Sequence, residues 1–312
     1  MNQKRLIVMA GPTAVGKTAL AIAVAEALHT EIVSADSRQI FKELRVGTAP
    51  PDAAQLARVK HHFIHSHSIN QRYDAGQYGR DALALIHQLF ATYNDVVLCG
   101  GSGLYIKAVC EGFDDMPEIA PTLRGGVIKN YQEFGLAWLQ EEVKKRDPVF
   151  FEQVDTQNPQ RLMRALELLQ ATGLPINQLR KRSKHQHPFL VVKIGLELDR
   201  PLLYQRIDHR VNQMIANGLF EEVQALFTRR HFNALQTVGY QEIFDFIEGK
   251  YDRAEAIRLL KRNSRRYAKR QLTWFKRDPD FHWFNALPID TQTEAILKFL
   301  QTPTTHGAHS SQ

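Results

Sequence analysis

Leu6-Ile7-Val8-Met9-Ala10, followed at once by Gly11-Pro12-Thr13-Ala14-Val15-Gly16-Lys17-Thr18, decides the fold. The first five residues are a short apolar run with β-branched members, the pattern of a buried strand. The next eight match a phosphate-binding P-loop at every fixed position. Its glycines let backbone N–H groups converge on an anion at a helix N-terminus, Lys17 adds a point charge, and Thr18 offers a hydroxyl to Mg²⁺. A diphosphate or triphosphate ligand is implied. The expected anion cradle is Gly11, Pro12, Thr13, Ala14, Val15, Gly16, Lys17 and Thr18.

Outward from this loop, apolar runs recur at Glu31–Ser34, Asp95–Cys99 and Leu190–Leu198, separated by helical patterns such as Ala19–Leu28 and Ala75–Phe90. Strands alternating with helices predict an α/β fold, here a P-loop NTPase-like parallel sheet flanked by helices. Strand signals vanish between Pro117 and Pro188, where Phe134–Arg146 and Pro159–Thr172 read as amphipathic helices, so an all-helical insertion domain is expected. The predicted organisation is residues 1–116 as the first part of the core, 117–188 as the insertion, 189–301 as core completion with basic C-terminal helices, and 302–312 as a flexible tail. Helices are expected at Arg200–Ala216, Tyr240–Glu248 and Arg253–Lys276.

Asp36 closes the second strand within Ser34-Ala35-Asp36-Ser37-Arg38-Gln39. In a doubly wound sheet the C-terminal strand ends share one edge with the P-loop, so Asp36 should face the same crevice. A helix cap, a Mg²⁺-associated carboxylate and a general base all fit that position. After Asp95–Cys99 comes Gly100-Gly101-Ser102-Gly103, where an NTP-hydrolysing protein would place a carboxylate for water or metal. Its absence weakens an ATPase reading and leaves the Ser102 hydroxyl at the crevice, either as a plain turn cap or as part of the chemistry.

The 312-residue chain carries 40 Lys+Arg against 33 Asp+Glu, a net charge of +7. Residues 251–277 hold ten basic and two acidic side chains, so the excess is one local patch. Arg258, Arg262, Arg265, Arg266 and Lys269 recur at helical spacing as a phosphate-tracking stripe, although a solvated face is the plainer alternative. The scarcity of acidic partners favours nucleic acid. His61-His62, with His65, lacks carboxylate or Cys companions and lies in a strand-like segment, Lys60–Ile64, which argues against a metal site. Cys99 and Cys110 sit in apolar surroundings and suggest a reducing, cytoplasmic compartment. The basic-then-apolar start is too short for a signal peptide, and no run approaches a membrane span. Trp138, Trp274 and Trp283 read as core anchors.

Taken in order, the Gly11–Thr18 loop, Ser34–Gln39, Gly47-Thr48-Ala49, His61-His62, Gly100–Tyr105, Gln160–Glu167, Thr237-Val238-Gly239-Tyr240 and Lys269–Trp274 resemble the tRNA dimethylallyltransferase (isopentenyltransferase) family over nearly the whole chain. The resemblance implies dimethylallyl diphosphate as donor, Mg²⁺ as cofactor, and as acceptor the exocyclic amine of the adenosine next to the anticodon. It implies that Lys17 and the loop hold the diphosphate, with Arg210 reaching it, that Asp36 is the general base, and that Ser102 orients the amine or the base. It also implies tRNA contacts at Asp36, Ser37, Arg38, Gln39, Ser102, Arg124, Gln160, Arg161, Leu162, Met163, Arg164, Gln236, Thr237, Val238, Gly239, Tyr240 and Gln241. On the basic helix it adds Lys269, Arg270, Gln271 and Lys276, beside Arg262 and Arg266, which the helical spacing of the stripe already offers to tRNA. A monomer is expected. Ser102 stands where the family more often has Thr, and Arg38, His65 and Gln241 depart from its usual choices. An adenylate isopentenyltransferase or a P-loop small-molecule kinase is the rival, needing neither the insertion nor the basic helix.

Overall fold

The computed structural model describes residues 3–114, 116–179 and 186–302. Six parallel strands form one sheet in the order β3-β2-β4-β1-β5-β6. They are β1 (Arg5–Ala10), β2 (Ile32–Ser34), β3 (His61–His62), β4 (Asp95–Gly100), β5 (Leu190–Glu197) and β6 (Phe281–Asn285). The helices in the same unit are α1 (Lys17–Ala27), α2 (Ala53–Arg58), α3 (Ala75–Leu89) and α4 (Gly103–Cys110), then, after the four helices of the insertion, α9 (Arg200–Ala216), α10 (Leu219–Ala225), α11 (Gln241–Ile247), α12 (Arg253–Phe275) and α13 (Ile289–Gln301). Four apolar runs lie within one residue of their expected strand bounds. β3 is shorter than the expected Lys60–Ile64, and β6 is a strand with no counterpart among the expected ones.

Strand β1 explains why the run is apolar without alternation. Leu6 through Ala10 are all fully buried, because helices cover both faces of the sheet. Leu6, Val8 and Ala10 join one core with Tyr78, Ile86 and Val109 from α3 and α4, while Ile7 and Met9 join the other with Leu20 and Val24 from α1 and Ile296 from α13. The period of two therefore sorts side chains between two apolar layers rather than between core and solvent.

Register fixes the site. β1 pairs with β4 so that Ala10 lies opposite Gly100, and β2 pairs with β4 so that Ser34 lies opposite Cys99. The residues that leave these three strands, Gly11, Ala35 and Gly101, therefore emerge along one sheet edge. The approach is close enough that a Cβ at Gly100 would collide with the Ala35 backbone, which is why β4 ends in glycine.

Residues 112–185 form a separate compact unit, beginning and ending a few residues before the expected 117–188. Its helices are α5 (Pro121–Arg146), α6 (Pro148–Gln153), α7 (Pro159–Thr172) and α8 (Ile176–Leu179). α5 starts well before the expected Phe134 and is broken at Gly135, whose φ of 75° is left-handed. α7 has ordinary signals at both ends: the Asn158 side chain accepts from Arg161 N–H, Pro159 opens the first turn, and Gly173 at φ 71° closes it. Leu139, Leu162 and Leu166 make a core belonging to this unit. No helix among the described residues is long and apolar enough to cross a membrane. The tail expected over 302–312 lies outside the described residues except for Thr302.

Candidate active site

The P-loop has the form its sequence predicts. Gly16 caps α1 at φ 113°, and Ala14 also takes a positive φ of 63°, so the chain curls tightly between β1 and α1. Lys17 opens α1, and its Nζ donates to the Pro12 carbonyl oxygen at 2.7 Å across the loop. Burial pulls the Lys17 ammonium down to about 8, partly opposed by Cys99 and Asp36, while Arg210 pushes it the same way as burial. An arriving anion would offset that burial and stabilise the charged form.

Asp36 lines the same cavity as Thr13, Lys17, Thr18 and Arg210. Its Oδ1 accepts the backbone N–H of Arg38 at 2.9 Å and of Gln39 at 3.2 Å. That satisfies the capping role with one oxygen, and among the described residues no hydrogen bond reaches Oδ2. Ser102 fastens this turn to β4. Its Oγ accepts Ser37 N–H at 2.9 Å and donates to Ser37 Oγ at 3.1 Å, so the hydroxyl joins the two loops and makes no cap bond to its own helix α4. The plain-cap alternative for Ser102 is thereby removed. The geometry is that of a group orienting the Asp36 turn.

Arg210, on α9, donates to the Thr48 carbonyl at 2.9 Å and has no carboxylate within ion-pair distance among the described residues. Burial lowers its hold on the proton, and Asp36 opposes this, but a guanidinium remains charged in proteins. Its hydrogen-bond partners among the described residues are thus backbone carbonyls rather than a carboxylate. Gln39 Nε2 donates to the carbonyls of Thr48 and Ala49 at 3.2 Å each, so the 45–49 loop holds two cavity side chains at once. Nothing in the sequence of Gly47-Thr48-Ala49 by itself points to that role.

Gln271 bridges two loops of the site. Expected at tRNA, it is buried on α12, where Oε1 accepts Thr13 N–H at 2.8 Å and Nε2 donates to the Gly101 carbonyl at 2.8 Å. Its side chain ties the P-loop to the β4 turn. Tyr240 is likewise fully buried and donates to Glu222 at 2.6 Å, so its side chain is internal. Thr237 and Val238 line the cavity, Gly239 is buried with its N–H given to Glu242, and Gln236 and Gln241 are exposed and bonded to one another. In the helical unit Leu162 and Met163, expected at tRNA, have their side chains in the core. Gln160 and Arg161 are exposed, while Arg124 and Arg164 both lie near the buried carboxylate of Glu167, at 3.7 and 3.4 Å.

The basic stripe divides. Arg258 is paired with Glu255 and Arg265 with Asp208, each at 2.6 Å, so neither is a free cation, and Lys276 pairs with Glu197 at 2.7 Å. Arg262 Nε donates to the neighbouring Asn263 at 3.3 Å, and Arg262 has no ion-pair partner among the described residues. One turn further round α12, Arg266, Lys269, Arg270, Thr273, Trp274 and Arg277 line a surface groove. Trp274 therefore does more than anchor the core, contrary to the expectation from sequence. Its indole sits against Gly103, where a Cβ would clash. His62 pairs with Glu31 at 2.6 Å, and His61 gives its Nδ1 to the Val59 carbonyl while lining the central cavity. The central cavity also takes in Cys99, whose thiol burial pushes up to about 11.

Comparison with known proteins agrees with this geometry. The chain is 45% identical over 297 residues to a tRNA dimethylallyltransferase of Christiangramia forsetii, covering 95% of this chain and 97% of that one. It is 46% identical over 298 residues to a tRNA dimethylallyltransferase of Cytophaga hutchinsonii, covering 96% and 98%. The crystal structure of a full-length tRNA isopentenylpyrophosphate transferase from Bacillus halodurans superposes with a TM-score of 0.71 at 33% identity, covering 96% of each chain. A family profile described as IPP transferase matches residues 39–278, and the chain belongs to that IPP transferase family.

Proposed function

We propose that this protein transfers a dimethylallyl group from dimethylallyl diphosphate to the exocyclic N6 amine of the adenosine immediately 3′ of the anticodon in tRNA, releasing diphosphate. One observation carries the reading: Asp36, with one carboxylate oxygen uncommitted among the described residues, lines a cavity with Lys17 and Arg210. A carboxylate beside two cations suits a reaction that removes a proton from a nucleophile as negative charge builds on a leaving group.

The adenine amine is a weak nucleophile because its lone pair is delocalised into the ring. Asp36 accepts one amine proton as the N–C bond forms and the allylic C–O bond breaks, and the bonding electrons leave with the diphosphate. The amides of residues 11–18, the Lys17 ammonium and the Arg210 guanidinium receive that charge. Ser102 holds the turn that carries Asp36. A cavity of about 140 Å³, with Ile32, Ile207, Val211 and Met214 in its lining, suits a branched five-carbon chain.

The donor set fits Mg²⁺. Thr18 and Asp36 line the cavity, and Mg²⁺ usually takes a hydroxyl or one or two carboxylates and fills its remaining positions with phosphate oxygens and water. Thr18 would hold the ion, which when bound would offset charge on the diphosphate.

The groove of Arg266, Lys269, Arg270 and Trp274 combines phosphate-binding charge with an aromatic face, as single-stranded nucleic acid requires. An anticodon-loop base leaves its stack at less cost than a duplex base. Two unpaired cysteines suit a reducing compartment, and we place the protein in the cytoplasm. The test is mass spectrometry of nucleosides from tRNA incubated with enzyme, Mg²⁺ and dimethylallyl diphosphate. Adenosine with one added five-carbon group is expected. Transfer to free adenosine monophosphate but not to tRNA would overturn the acceptor assignment.

A further inference from the structure

We infer that Glu222, which lies outside the cavity, is the positioning residue that seats Arg210 against the donor's diphosphate, acting through the 45–49 loop. The inference rests on the proposed donor site.

Glu222 sits in the first turn of α10, and both of its oxygens are used twice. Oε2 accepts Arg45 N–H at 2.9 Å and Val46 N–H at 2.7 Å, while Oε1 accepts Gly47 N–H at 2.9 Å and the Tyr240 hydroxyl at 2.6 Å. Three successive backbone amides and one hydroxyl thus converge on one carboxylate, which accepts from all four. Tyr240 closes the arrangement from behind, with its ring so near Gly47 that a Cβ there would lie 2.6 Å from it. The opposite side of the same loop presents the Thr48 and Ala49 carbonyls, and these are the hydrogen-bond acceptors of Arg210 Nη2, at 2.9 and 3.4 Å. The loop also places Ala49 at φ 42°, a conformation that a residue with a Cβ keeps only when its surroundings hold it.

The chain of contacts has one direction. Glu222 and Tyr240 fix the amides of residues 45–47, the peptide planes that follow are fixed with them, and their carbonyls aim the guanidinium. Without this anchor a partly buried arginine, with no carboxylate partner among the described residues, loses the acceptors that orient it. A glutamine at position 222 keeps the shape but turns one acceptor oxygen into an NH₂ that confronts N–H or O–H donors.

The test is calorimetric titration of inorganic diphosphate with Mg²⁺ into wild type, Glu222→Gln, Arg210→Ala and the double variant, with thermal melts alongside. Wild type is expected to bind. Glu222→Gln is expected to bind about 10–100-fold more weakly, the range of a missing charged hydrogen bond. In the Arg210→Ala background the second substitution should add almost nothing, because both remove the same interaction. A merely structural role for Glu222 would give multiplicative losses, and that result overturns the inference. So does unchanged affinity in Glu222→Gln. Should Glu222→Gln fail to fold, Tyr240→Phe removes one of the four donors and leaves the carboxylate and the amides. It is expected to weaken binding about 3–10-fold, again only when Arg210 is present; an effect that persists without Arg210 overturns the inference. Failure of wild type to bind diphosphate is a different outcome: it removes the donor site itself, and the inference with it.

Discussion

Asparagine at position 36 separates the roles that the aspartate could play. Asp36 Oδ1 holds two backbone amides, at 2.9 and 3.2 Å, and an asparagine Oδ1 can hold the same two. Exchanging a charged acceptor for a neutral one costs about 1–2 kcal/mol of stability, so the variant is expected to fold and bind tRNA. The atom that changes is Oδ2, the one free to take a proton. Loss of a general base costs about 10²–10⁴ in rate, or about 3–5 kcal/mol of barrier at about 1.4 kcal/mol per decade. Donor affinity is expected to be unchanged or tighter, because an anion has been removed from beside Lys17 and Arg210. The assay is single-turnover transfer of labelled dimethylallyl to saturating tRNA, repeated over a Mg²⁺ series. A rate within about threefold of wild type refutes the proton-transfer argument, since a pure cap predicts that much. Recovery at high Mg²⁺ reassigns the carboxylate to the metal by mass action.

Lys17, held near 8 by burial, is expected to take up a proton when diphosphate binds at about pH 9. Calorimetry in buffers of different ionisation enthalpy measures that uptake, and Lys17→Met should abolish the part that is not the ligand's own. For folding the sign is the reverse of a paired lysine. The unfolded side chain keeps its proton to about 10.5, so the destabilising contribution of Lys17 is full below about 8 and fades as pH rises from 8 to 10.5. Neutralising Arg266, Lys269 and Arg270 together should flatten the salt dependence of tRNA binding by about 0.7–0.9 for each phosphate left without its cation, with donor affinity unchanged; an unaltered slope in filter binding makes the groove a solvated face. Gln271→Leu strands Thr13 N–H and the Gly101 carbonyl, and should lower stability by about 1–3 kcal/mol in denaturant melts while raising the donor KM.

Much of this was legible in the residue order, for reasons that differ by element. The P-loop is readable because its geometry depends on contiguous glycines and one lysine, and the doubly covered strands are readable because burial on both faces demands unbroken apolar runs. β6 was missed because Phe281-His282-Trp283-Phe284-Asn285 mixes aromatic and polar residues, and only its register beside Gly195 makes it a strand. The site was legible as far as strand-end position carries it, which reached Asp36 and Ser102. Gln271, Tyr240 and Glu222 act by contacts between segments distant along the chain, and nothing local marks a glutamate on α10 as the anchor of three amides. The stripe on α12 misled for a related reason: helical spacing shows which cations share a face, but Asp208, the partner of Arg265, lies on another helix.

The link from Thr13 to Gln271 spans 258 residues of chain, and β1 takes its place between β4 and β5, both later in the sequence. The Gly11–Thr18 loop is therefore synthesised well before the helix that closes over it. While the ribosome is still extending the chain, the Gly11–Thr18 loop has a helix to open but no opposing wall, and its strand has open edges on both sides. Long-range pairing of this kind forms slowly and leaves apolar edges exposed in the meantime. Fragments that end before α12 should consequently be incapable of holding diphosphate and should depend on chaperones, whatever their content of P-loop sequence.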